Sequence, residues 1–125
     1  MQLDESAILW SAPERERAGR PLIVLLHGYG SHEGDLFSLS PRLPLAATVA
    51  SLRGPIKESA GYAWWSLAGQ NPGQPDPAAV DAGAQAVLDW LDTVDYTTVA
   101  LLGFSQGAAL SLQLNRLAPD RFAAT

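Results

Sequence analysis

The segment Val99-Ala100-Leu101-Leu102-Gly103-Phe104-Ser105-Gln106-Gly107-Ala108-Ala109-Leu110 passes from a continuous apolar run, through a turn of small residues, into a stretch without proline until Pro119. The run reads as a buried strand and the stretch as a helix. A strand that feeds a helix across so tight a reversal belongs to the βα units of a mostly parallel sheet. Ser105 at the apex, flanked by Gly103 and Gly107, has the layout of a nucleophile elbow, in which the hydroxyl stands clear at the end of the strand. The plainer reading of the same residues is a tight turn with Ser105 as a helix N-cap.

A second apolar run, Arg20-Pro21-Leu22-Ile23-Val24-Leu25-Leu26, ends in His27-Gly28-Tyr29-Gly30 and is too short for a membrane span. Acyl transfer needs donors aimed at the oxygen that becomes negative, and main-chain N–H groups in a glycine-permitted turn supply them without reorganising. The candidates are the N–H of Tyr29 and the N–H of Gln106. They converge if the two strands are parallel neighbours.

On these residues, together with Leu52-Arg53-Gly54-Pro55 and Trp64-Trp65, the chain resembles the phospholipase/carboxylesterase family of α/β-hydrolases, the group that includes the acyl-protein thioesterases. Gly-Phe-Ser-Gln-Gly is closer to this family than a generic Gly-x-Ser-x-Gly. The resemblance extends from about Ile8 to Thr125. It implies Ser105 as nucleophile, Tyr29 and Gln106 as oxyanion-hole donors, and a three-layer α/β-hydrolase sheet, mostly parallel, with helices on both faces. Family members carry the acid and base after the nucleophile, in the order Ser, Asp, His, and no His follows Ser105 here. The expectation is therefore an N-terminal portion of such an enzyme, without its last strands and helices and without the Asp and His of the triad.

The candidates within the chain are poor substitutes. His27 reads as a structural imidazole fixing the glycine loop, and His32 as a solvated loop residue. Asp120 lies about 20 Å along the nucleophile helix from Ser105, at 1.5 Å per residue.

Composition bounds the remaining readings. The chain has 125 residues, 47% hydrophobic and 17% charged, which fits a single globular domain over residues 1–125. Its net charge of −5 disfavours nucleic acid and anionic membranes as partners. With no Cys there is neither a disulfide nor a thiolate metal site, and no metal or cofactor is expected. The acidic start Met1-Gln2-Leu3-Asp4-Glu5-Ser6 lacks the apolar core of a secretion signal, so the expected location is cytoplasmic.

Along the chain, strands are expected at Ala7 to Ser11, Leu22 to His27 and Ala46 to Leu52, the first two paired antiparallel at one edge. A short helix is expected over Asp35 to Leu39 and a long loop from Arg53 to Pro75. A crossover helix follows, capped by Asp76, opened by Pro77 and presenting Val80, Ala84, Val87, Leu88 and Leu91 on one face. The nucleophile helix is apolar around much of its girth, so burial on more than one side is expected. Phe37 and Phe104 read as core. Trp64 and Trp65 are candidates to line a substrate pocket, or equally to pin the loop to the sheet.

The implied substrate is a small acyl ester or thioester. Val99 to Phe104 is expected as an exposed apolar edge, open to self-association or to a chain that completes the sheet. The alternative function is a non-catalytic binding or assembly module that keeps the elbow. A dinucleotide or phosphate-loop protein is disfavoured, because the third glycine of the fingerprint and a Lys-Ser/Thr pair are missing.

Overall fold

A computed structural model describes residues 1–58, 60–67 and 74–125. Five strands form the main sheet: β1 (Leu9–Trp10), β2 (Leu22–Leu26), β3 (Thr48–Leu52), β6 (Val99–Gly103) and β7 (Phe122–Ala124), in the order β1-β3-β2-β6-β7. Between them lie α1 (Glu33–Phe37), the hairpin β4 (Ile56–Glu58) with β5 (Gly61–Ala63), α2 (Pro77–Leu91) and α3 (Gln106–Leu117). β2, β3, β6 and β7 run parallel and only β1 is antiparallel, so the sheet is of the mostly parallel type expected.

The alternation of side chains along each strand decides what each face buries. Leu22, Val24 and Leu26 stand opposite Thr48, Ala50 and Leu52 on one side and Val99, Leu101 and Gly103 on the other. Their apolar members join Val87 and Leu91 of α2 and Leu110 and Leu114 of α3 in one buried cluster. On the other face α1 provides a short cover, where the Ser51 hydroxyl donates to the Glu33 carbonyl at 2.6 Å.

α2 starts where the sequence places it. The Asp76 carboxylate accepts from the Ala78 N–H at 3.0 Å, with Pro77 in the first turn. Proline suits that position because its missing N–H would have had no intrahelical acceptor.

The structure corrects several expectations. β1 covers only Leu9 and Trp10, and it pairs with β3, not with β2. β2 is therefore interior, with β3 on one side and β6 on the other. α1 begins at Glu33, because the His32 imidazole caps it, accepting from the Gly34 N–H at 3.0 Å. The expected loop from Arg53 to Pro75 carries the β4–β5 hairpin, and its residues 68–73 lie outside the described residues. β6 is not a bare edge: Val99 pairs with Phe122 and Ala100 with Ala124. On α3 burial is one-sided, with Leu110 and Leu114 fully buried but Leu112 64% exposed.

Candidate active site

Leu26 at the end of β2 lies opposite Gly103 at the end of β6. Both strands point the same way, so the loop after β2 and the turn after β6 emerge side by side. The chain reaches β6 by crossing from β3 over β2, and the carboxyl ends of the strands at such a change of direction are where open α/β sheets generally bind ligands.

In the turn after β6, Ser105 has φ 56° and ψ −116°, and among the described residues it alone adopts a positive φ without being glycine. Its side chain makes no capping hydrogen bond, which removes the plain N-cap reading, and its hydroxyl has no partner among the described residues. Such a backbone costs about 1–3 kcal/mol and persists only where the surroundings impose it. Here the surroundings are two close approaches. A Cβ on Gly103 would overlap the Gly107 carbonyl, and one on Gly107 would overlap the carbonyls of Leu26 and His27. The first turn of α3 thus sits directly on the end of β2. Ser105→Gly is expected to raise stability by about 1 kcal/mol, the relieved strain less the extra unfolded-state freedom of glycine. The urea midpoint checks this, and a lower midpoint would contradict it.

The loop after β2 is held from three sides. The His27 ring is 1% exposed, its Nδ1 donates to the Gly28 carbonyl at 2.7 Å, and its Nε2 accepts from the Gly54 N–H at 2.9 Å. These partners fix the neutral tautomer with the proton on Nδ1 and occupy both nitrogens. Gly30 N–H donates to the Tyr62 carbonyl and Tyr62 N–H to the Ser31 carbonyl, each at 2.8 Å, which staples the loop to β5. The Tyr29 hydroxyl donates to Glu58 at 2.8 Å, and Ser66 donates to the other oxygen of the same carboxylate. That pair of donors holds the Glu58 carboxyl below its ordinary range, and the carboxylate in turn raises the Tyr29 phenol.

Neither the Tyr29 N–H nor the Gln106 N–H has an acceptor among the described residues. Gly28 lies against the elbow, where a Cβ would meet Phe104 and Ser105 at 3.4 Å. The Gln106 N–H also opens α3, whose N-terminal dipole favours negative charge. Among the described residues, no group of three or more His, Asp or Glu side chains is placed to hold a metal ion.

Burial lowers the His27 pKa below its ordinary value, more than the Gly28 hydrogen bond raises it. Folded His27 therefore binds its proton less tightly than unfolded His27. Its contribution is complete above about pH 6.5, and as pH falls below that value the unfolded state takes up more protons and stability declines. The expected slope approaches about 1.4 kcal/mol per pH unit until the folded ring protonates. Urea midpoints from pH 8 to pH 5 check it; a slope unchanged in His27→Asn would contradict it.

Three expectations about aromatic residues divide here. Trp64 does not line a pocket: it is 0% exposed, with its indole N–H donating to the His27 carbonyl at 2.8 Å. Phe104, expected in the core, is 62% exposed because the reversal at Ser105 turns it outward. Trp65 does border an open cleft between α2 and α3, of about 590 Å³, shared with Val80, Ala109 and Leu112.

Two features were not foreseen from sequence. Arg53 forms a two-pronged ion pair with Glu33, at 2.8 and 2.6 Å, and lies 4.3 Å over the Tyr62 ring, tying α1 to the hairpin. The Gln106 side chain is buried, with its carbonyl accepting from the Trp64 N–H at 2.8 Å and its amide donating to the Trp65 carbonyl at 2.9 Å. In the sequence, the motif points only to the Gln106 backbone. A polar side chain facing a buried strand-helix junction is the signal that pointed to more.

Among known proteins, the sequence profile of the phospholipase/carboxylesterase family matches residues 11–125. Over 108 residues the chain is 34% identical to NocK of Nocardia uniformis subsp. tsuyamanensis, an esterase by assignment; the match covers 84% of this chain and 31% of that protein. A carboxylesterase from Mesorhizobium loti superimposes with a TM-score of 0.71 at 26% identity, over 84% of this chain and 52% of that one. Acyl-protein thioesterase 2 from Zea mays gives 0.65 at 27% identity, over 86% and 49%. The chain thus spans about half the length of these two solved structures, at 52% and 49%, and 31% of NocK. With the family match extending from Ser11 to Thr125, the protein belongs to the phospholipase/carboxylesterase family.

Proposed function

We propose that the chain carries the nucleophile and oxyanion hole of a serine carboxylic-ester hydrolase of the carboxylesterase, lysophospholipase or thioesterase type, cytoplasmic and acting on a small acyl ester or thioester. The observation that carries the reading is Ser105, strained and exposed at the head of α3, where neither its hydroxyl nor the Tyr29 and Gln106 N–H groups have a partner among the described residues. Family membership supports it.

In this reading a base takes the Ser105 proton while Oγ attacks the acyl carbonyl carbon. The carbonyl oxygen becomes negative and is met by the Tyr29 and Gln106 N–H groups. Collapse breaks the bond to the alcohol or thiol, which leaves with the proton from the base, and acyl-Ser105 remains. Water, deprotonated by the same base, then attacks the acyl-enzyme and releases the acid.

The base and its carboxylate come from outside these 125 residues. Within them, both nitrogens of His27 are engaged, and His32 Nδ1 is committed to the cap of α1. The chain alone is then nearly inert. The experiment is hydrolysis of a short-chain p-nitrophenyl ester by this chain and by Ser105→Ala, with trace turnover expected for the first; robust turnover lost in the second would mean that a base has been overlooked. The edge formed by β7 and the last residues of β6 is where a complementing chain would add to the sheet.

A further inference from the structure

We infer that Trp64 and the Gln106 side chain together form a strut that sets the spacing of the two oxyanion donors, making both positioning residues for acyl transfer at Ser105. The inference rests on the proposed oxyanion hole and adds what holds it in register.

The two donor N–H groups sit on separate elements: Tyr29 in the loop after β2 and Gln106 at the start of α3. A hole for one oxygen works only if both stay fixed to within a fraction of an ångström, since a displacement of about 1 Å costs on the order of 10²-fold in rate. Trp64 touches both elements by hydrogen bonds. Its indole N–H donates to the carbonyl of His27, two residues before Tyr29, at 2.8 Å. Its main-chain N–H donates to the side-chain carbonyl of Gln106 at 2.8 Å. The amide of Gln106 closes the arrangement by donating to the Trp65 carbonyl at 2.9 Å.

Chemistry selects glutamine at this position. The site offers one N–H and one C=O, so the side chain must be acceptor and donor at once; a methionine satisfies neither and an ionised glutamate only the first. Gln106 is 7% exposed and Trp64 0% exposed, so unmet partners would be left without water. The Trp64 ring packs on His27, at 5.3 Å between centroids, and its backbone lies against Gly83 of α2, where a Cβ would run into the Trp64 carbonyl. A general anchoring role for Trp64 requires only its burial. A strut additionally requires that loosening one arm be felt at the other donor.

The test uses the 125-residue chain with ¹⁵N–¹H spectra. Trp64→Phe removes the indole donor and some ring volume but keeps the main-chain N–H that meets Gln106, and Gln106→Glu replaces the amide arm. Trp64→Phe is expected to shift the Gln106 main-chain amide resonance, although the change lies on the His27 side. Gln106→Glu at pH 8 is expected to shift Tyr29, and to return it toward the wild-type position as pH falls and the protonated carboxyl again donates to Trp65. Shifts confined to each substitution's own arm, or a Gln106→Glu spectrum in which Tyr29 ignores pH, would overturn the strut. Because the readout is the amides themselves, it is separate from the proposed chemistry: absence of any Ser105 reactivity with intact coupling would count against the hydrolase reading and leave the strut standing.

Discussion

Gly107→Ala is expected to lower stability by about 3 kcal/mol or more, the upper end of what one inserted methyl does in a packed interior. The added carbon would lie inside contact distance of the Leu26 and His27 carbonyls, which are backbone atoms of a central strand and its loop. No side-chain rotation relieves that overlap. Either α3 lifts from the sheet or the end of β2 moves, and both carry the loop bearing Tyr29 away from the elbow. Gly19→Ala provides the contrast. Nothing lies within 4 Å of its Cβ, so only its positive φ of 72° is penalised, by about 1–2 kcal/mol. Urea denaturation of the two variants checks the difference; equal midpoints would mean that the close approach at Gly107 is not what holds the elbow.

The other large effect concerns activation of Ser105. In comparable triads, losing the base or the nucleophile costs about 10⁴–10⁶ in rate, against about 10²–10³ for one oxyanion donor. Turnover by this chain is therefore expected to lie lower than an intact triad by about the larger factor. On the proposed reading, what remains is the pair of oxyanion donors and an exposed hydroxyl. A small diffusible base should recover part of the loss, because Ser105 is exposed and its Oγ has no partner among the described residues. Imidazole at tens of millimolar is the natural choice, and Tris at the same pH controls for general buffer effects.

Much of this site was legible because its chemistry is written in backbone requirements. Gly103 and Gly107 flank Ser105 since the helix, the strand and its neighbour approach too closely for any Cβ, and such constraints show in sequence as small residues at fixed spacing. Asp76 and Pro77 announce a helix start for equally local reasons. What was not legible depends on partners distant in the chain. The pairing of β1 with β3 is a choice between two apolar neighbours that Leu9 and Trp10 alone do not make. The β4–β5 hairpin has strands of three residues, too short for an alternating pattern to register. Trp64 and Trp65 look alike in sequence, yet one is sealed beneath the loop and the other borders an open cleft. Gln106 shows the same limit, its proposed backbone role being readable from the motif and its side-chain hydrogen bonds only from the position of Trp64 and Trp65.

The central claim, that Ser105 is a built nucleophile awaiting a base, is tested most directly by mass spectrometry after exposure of the chain to a fluorophosphonate, with and without imidazole. The account predicts an adduct on Ser105 that grows with imidazole and is absent in Ser105→Ala. Failure of Ser105 to label under either condition, with the chain folded, would contradict it and favour a non-catalytic module.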